Sequence, residues 1–155
     1  MVEPVETLVV STSSTDVRFR EITDDDVEHV VALWHACGLT RPWNDPNVDI
    51  AYARANPAST VLVAGDDDEV VAAAMAAYDG HRGWLYYVAV APDHRGSGLG
   101  RAAVAAGERW LRAAGARKVQ LMVRQTNEQV AGFYSRLGYA DQETVVLGRW
   151  LDGSR

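Results

Sequence analysis

Apolar and polar residues follow two periods along this chain, and the switches between them mark its elements. Residues 1–16 hold neither period and read as a flexible tail. Residues 17–22, VRFREI, alternate and predict a strand. From 23 to 38 the period lengthens: Val27, Val30, Val31 and Trp34 share a helical face, Thr23 stands at the cap position, acids fill the first turn and Gly38 ends the run. The acids are accounted for by the helix dipole alone. A loop with two prolines, 39–46, leads to a second short helix over 47–56.

Strands are predicted over 59–65 and 70–79, joined by a turn at 65–69. The alanines of the second make helix a competing reading. After a turn at 80–83, WLYYVAVA (84–91) is almost continuously apolar and predicts a central strand that Pro92 ends. A helix follows over 98–114 with Leu99, Ala103, Ala106 and Trp110 inward, long enough to run ~25 Å. RKVQLMV (117–123) is the next strand. Asn127 opens a helix carrying Val130, Phe133, Tyr134 and Leu137, which Gly138 closes; YADQ and TVVLGRWL then complete the sheet. The order β-α-α-β-β-β-α-β-α-β(-β), without repeats or a linker, predicts one α+β domain over 17–155.

Composition changes this picture little. The 155 residues are 48% apolar and 23% charged, as in an ordinary globular domain. No run approaches the ~20 apolar residues that span a bilayer, and the N-terminus lacks the pattern of a secretory leader. The single cysteine, Cys37, excludes an internal disulfide and fits a reducing compartment, so a cytoplasmic location is expected. Cys37 itself reads as a small apolar residue near a helix end. A net charge of −6 without a basic face argues against nucleic-acid binding and mildly favours cationic partners. The four histidines show no zinc-ligand spacing, and no metal is expected.

The chemistry concentrates in HRGSGLGR, residues 94–101. Three glycines follow a buried strand and open a helix, between Arg95 and Arg101. A helix start offers unpaired N–H groups and a positive dipole end. Glycines let the loop curl so that those groups converge on an anion, and the arginines add charge in phosphate-matching geometry. The plain structural alternative is a tight strand-to-helix connection, which would not need two flanking arginines. The lysine-bearing loop GxxxxGK[ST] is absent, and the dinucleotide pattern GxGxxG would need glycine where Arg101 stands. That weighs against a nucleotide-binding protein of either kind. The pattern present is Arg95-x-x-Gly98-x-Gly100.

This pattern, placed after a central strand, resembles the acetyl-CoA motif of the GCN5-related N-acetyltransferases. NEQVAGFYSRLGY (127–139) is similar to the last helix of that family, and the element order agrees, so the resemblance covers about 17–151. LTRPWNDP and YDGHRGW resemble its small YpeA-type subgroup. The resemblance implies an acyl-CoA N-acyltransferase fold: a mixed sheet of six to seven strands with four helices, splayed between the fourth and fifth strands. It implies acetyl-CoA as co-substrate and a primary amine, on a small molecule or peptide, as acceptor, with direct attack in a ternary complex. A non-catalytic acyl-CoA sensor or scaffold of the same fold is the alternative.

Carried over by position, the resemblance implies that main-chain groups of Val88, Ala89 and Val90 pair with the pantetheine arm. Amides of Arg95, Gly96, Ser97, Gly98, Leu99, Gly100 and Arg101 cradle the pyrophosphate. Asn127 contacts the cofactor arm, and Tyr134 approaches the thioester sulfur as general acid. Some relatives carry a carboxylate on the fourth strand; WLYYVAV has none, so the base stays open between Asp79, His81, Asp45, Tyr86, Tyr87 and water. Asp79 equally suits an Asx-type turn with the following residues. For the acceptor, the 39–46 loop offers Arg41 for a carboxylate, Trp43 as a flat wall, and Asp45. Apolar residues of the last strand make a homodimer a candidate assembly.

Overall fold

A computed structural model describes residues 17–66 and 68–154. The expected N-terminal tail, 1–16, lies outside the described residues. The chain divides into two compact units, Met1–Met122 and Val123–Arg155, each described by itself.

The first unit is a sheet with helices on both faces. Its elements are β1 (Arg20–Glu21), α1 (Val27–Ala36), α2 (Pro46–Ala55), β2 (Ser59–Gly65), β3 (Val70–Tyr78), β4 (Gly83–Val90), α3 (Leu99–Ala114) and β5 (Val119–Leu121). The strands lie in sequence order, antiparallel from β1 to β4, with β5 parallel to β4. A parallel neighbour needs a crossover, and α3 supplies it.

Strand wins at 70–78 because both faces of β3 are covered. Ala73 and Met75 join Val30, Trp34, Ile50, Val61, Val63 and Ala89 on one face; Ala72 joins Ala64 and Leu99 on the other. That two-residue period is a strand's, and small side chains let helices approach from both sides.

The first helix begins later than its apolar period suggests. Asp26 is buried and occupied: it takes Thr23 N–H at 2.8 Å and pairs with Arg20 through contacts of 2.6 and 2.9 Å. A 3-10 turn over Asp24–Asp26 precedes α1. The acidic run therefore does more than answer the dipole, since Asp24 also pairs with Arg54 at 2.7 Å. On α3 the inward positions include Leu111, while Trp110 is only half-buried and donates to Glu21 at 3.2 Å.

The second unit contains α4 (Glu128–Arg136), capped by Asn127, whose side-chain oxygen accepts from Val130 N–H at 3.1 Å. The strands expected at YADQ and TVVLGRWL do not form, so the described sheet has five strands rather than six or seven. Val145, Val146, Leu147 and Leu151 are exposed, Leu147 to 90%. A strand forms only where a ladder partner exists, and among its described residues this unit holds none. Among the described residues, no helix is long and apolar enough to cross a membrane.

Candidate active site

The site is built on β4. The strand is paired with β3 along most of its length but with β5 only through Gly83, Trp84 and Leu85. From Tyr86 to Val90, a span of about 13 Å at strand rise, no strand among the described residues pairs with β4 on that side. The splay between the fourth and fifth strands expected for the fold is present.

A bulge lies within this open stretch. Met75 faces Tyr86 and Ala73 faces Ala89, so Tyr87 and Val88 together oppose Ala74. Tyr87 takes φ +50°, a left-handed conformation that a bulky residue adopts only under constraint. Beyond the bulge the ladder alternates. Ala91 N–H bonds Val71 C=O at 2.8 Å, which makes Ala89–Ala73 the next bonded pair and turns the Val90 amide and carbonyl toward the open edge. The Val90 carbonyl accepts the Cys37 thiol at 3.2 Å. Of the three residues expected to pair with a cofactor arm, Val90 thus presents its main chain outward, whereas Ala89 is engaged by β3.

The loop after β4 runs into α3 through two left-handed glycines, Gly96 (φ +78°) and Gly98 (φ +84°), the second at the helix N-cap. Nothing lies within 4 Å of where a Gly96 side chain would begin. Ala102 N–H is the one that closes on the Gly98 carbonyl, at 3.0 Å; the amides of Leu99, Gly100 and Arg101 precede it and have no helical acceptor. Ser97 Oγ donates to the His94 carbonyl and so fixes the turn. His94 Nδ1 is buried without a hydrogen-bond partner among the described residues. Arg95 and Arg101 are exposed at either end. Free amides, positive-φ glycines and flanking guanidiniums suit a phosphate group held against bare main chain.

The base candidates fare differently. Asp79 is exposed and fully used by its turn: it accepts Arg82 N–H at 2.7 Å, His81 N–H at 2.8 Å and Trp84 Nε1 at 3.3 Å. Those bonds, that from Arg82 first, hold its carboxyl below the usual carboxylate range and make it a weaker base. Asp79 and His81 precede Gly83, five residues or roughly 16 Å of strand from Val88, so the structure does not bring them to the open edge. Burial raises the Tyr86 phenol, and burial followed by the Asp49 hydrogen bond raises that of Tyr87 further.

The loop before α2 is a tight turn closed by an Arg41–Asn44 bridge. Arg41 Nη1 donates to the carbonyls of Gly38 (3.0 Å) and Thr40 (2.9 Å), and Asp45 caps α2 by accepting Asn47 N–H at 2.9 Å. Trp43 is left exposed to solvent. Sequence reasoning missed Asp49. The Tyr87 hydroxyl donates to Asp49 Oδ2 at 2.6 Å. Asp49 reads in the sequence as one more first-turn acid, and only the fold brings it to β4.

In the second unit Tyr134 is buried at 9% exposure and touches Phe133 and Tyr139 edge-on, at 5.0 and 5.5 Å between centroids. Burial pushes its phenol up to about 12. Among the described residues, no group of three or more His, Cys, Asp or Glu side chains gathers as metal ligands do.

A mixed sheet opened along its fourth strand, beside a glycine-rich helix start, is the architecture of an N-acetyltransferase. Comparison with known proteins agrees: the family model "Acetyltransferase (GNAT) family" matches residues 27–139, and the chain belongs to that family. An acetyltransferase of Pectobacterium atrosepticum is 42% identical over 135 residues, 87% of this chain and 96% of that protein. An N-acetyltransferase of Yersinia pestis, itself uncharacterised, matches with the same identity and coverage. Among solved structures, an aminoglycoside N-acetyltransferase in complex with CoA superposes with a TM-score of 0.73 at 19% identity, covering 87% of this chain and 95% of that one. Glucosamine-6-phosphate N-acetyltransferase from Arabidopsis thaliana gives 0.66 at 16% identity, covering 88% and 99%. At such identities the structural likeness speaks for the fold.

Proposed function

We propose that the protein moves an acetyl group from acetyl-CoA to the primary amine of a small molecule or peptide, by direct attack in a ternary complex. One observation carries this reading: among the described residues no strand pairs with β4 beyond Leu85 on its open side, and the strand leads to the bare amide turn at Gly96–Gly98. A diphosphate held at the turn sends its amide-bearing arm back along the strand, where the outward amide of Val90 pairs with it as that of a neighbouring strand would. Arg95 and Arg101 neutralise the phosphates.

Acetyl transfer sets three tasks. The amine must be neutral, and with a reference pKa of about 10.4 only roughly one molecule in 10³ is so at pH 7. With no carboxylate on β4 and Asp79 committed to its turn, the proton leaves through water. The tetrahedral oxyanion is met by a main-chain N–H of the bulged stretch at Val88. The departing thiolate accepts a hydrogen bond from Tyr134, and Asn127 contacts the cofactor arm.

A thermal shift with acetyl-CoA, run against ATP and NAD, tests the cofactor. Release of free thiol with a panel of amines tests turnover. Stabilisation by ATP or NAD but not by acetyl-CoA would remove the reading, and acetyl-CoA binding without thiol release from any amine would leave an acyl-CoA sensor in its place.

A further inference from the structure

One face of α2 differs in chemistry from the surface around it. Asp45, Val48, Asp49 and Tyr52 recur along it at three- and four-residue spacing. Val48 and Tyr52 are exposed, Tyr52 to 73%, and Trp43, two residues before the cap, to 57%. Large apolar side chains in water beside a carboxylate form a surface with no work to do in the core.

Asp49 sits in this face and is held with unusual firmness. Its Oδ2 takes the Tyr87 hydroxyl at 2.6 Å. The Tyr87 ring in turn lies flat on Trp34, 3.9 Å between centroids and 7° from parallel, and Trp34 is fully buried. The bulge that gives Tyr87 its positive φ turns this side chain onto α1 and α2. The carboxylate therefore stands about one tyrosine side chain from the point where the β4 edge opens. Asp24 and Asp26 each have an arginine partner; Asp49 has no cationic partner among the described residues.

We propose that Asp49 is the anionic subsite for the acceptor, holding the ammonium group of an amine whose apolar or aromatic body lies on Trp43, Val48 and Tyr52. A fixed carboxylate attracts the cation, and aromatic faces add the attraction of their ring quadrupoles. The role is recognition rather than proton removal. A carboxylate is a far weaker base than an amine, so the ammonium keeps its proton when the two pair. The amine is captured charged, and it reacts after losing its proton to water. This deepens the acetyltransfer reading and rests on it, but its test reads amine binding alone.

The full chain is titrated by ligand-observed NMR with phenethylamine and with 2-phenylethanol, an uncharged analogue of the same shape. The wild type is expected to bind the amine at least tenfold more tightly. The preference shrinks as salt is raised, and in Asp49→Asn it falls within twofold. Tyr87→Phe keeps the ring stack and weakens the amine several-fold while leaving the alcohol unchanged; Tyr52→Ala weakens both probes alike. The thermal shift by acetyl-CoA stays the same in all three variants. A wild type that binds neither probe, or prefers neither, overturns the proposal, as does a preference that survives in Asp49→Asn or is indifferent to salt. Failure of acetyl-CoA to bind at all would strike the acetyltransfer reading and leave the amine preference standing.

Discussion

Replacing Tyr134 with phenylalanine tests what a buried phenol can do for a leaving thiolate. Burial lifts Tyr134 to about 12, whereas a thiol has a reference pKa of about 8.5. Full proton transfer would then run uphill by about 5 kcal/mol, too much to leave on top of the acyl-transfer barrier. A hydrogen bond donated to the developing thiolate needs no transfer and contributes about 1.5–3 kcal/mol. Tyr134→Phe is therefore expected to lower kcat by about 10- to 100-fold and leave acetyl-CoA affinity within twofold. In the wild type kcat should not fall between pH 8 and pH 10. Stability gives a second readout. The raised phenol favours the fold fully below its unfolded value of about 10, and that contribution is lost as pH climbs through about 12. The wild type should thus lose stability over that window more steeply than the variant. Thiol release followed against pH, with calorimetric melts alongside, measures both. Unchanged kcat in the variant, or a wild-type descending limb near pH 8.5 that the variant lacks, would refute the reasoning.

Three further perturbations follow from the packing. Gly98→Asp places bulk and negative charge at a φ of +84° on the helix start; acetyl-CoA affinity should drop at least tenfold in a thermal-shift titration, and equal affinity would remove the cradle. Gly65→Ala would set its Cβ 2.0 Å from the Glu69 carbonyl oxygen, which is backbone and cannot step aside; a loss of about 1–3 kcal/mol should appear as a lower melting temperature at unchanged kcat. Asp26→Asn weakens the bonds to Arg20 and Thr23 and should cost about 1–3 kcal/mol at neutral pH. Arg20 holds the Asp26 carboxyl well below its usual range, so its contribution is present above pH 4 and is lost as the solution is acidified below that. The melting temperature of the variant should accordingly respond less to acid than that of the wild type.

What the sequence made legible was local. Strand β2 falls on the residues predicted for it, 59–65, and α3 begins at Leu99, one residue after the predicted start at 98. The Asx-type turn at Asp79 was visible as an alternative, and the observed bonds to His81 and Arg82 are that turn. What stayed hidden depends on partners distant along the chain. TVVLGRWL is as apolar and β-branched as a strand should be, but a ladder partner is no property of the segment. The run WLYYVAV carries no glycine or proline to announce a bulge, because Tyr87 is held at positive φ by its stack on Trp34 and its bond to Asp49, 53 and 38 positions away. The bulge at Tyr87 also explains why the edge of β4 opens where it does. The bulge adds one residue to β4 against β3, increasing local twist, and pairing with β5 stops at Leu85, two residues before Tyr87. On this view the Trp34–Tyr87 stack acts twice: it aims the hydroxyl at Asp49, and it keeps the strand bent with its edge free for a cofactor. Acceptor recognition and cofactor access are then coupled through a single side chain, and a substitution that releases the Tyr87 ring, such as Trp34→Ala, should weaken both.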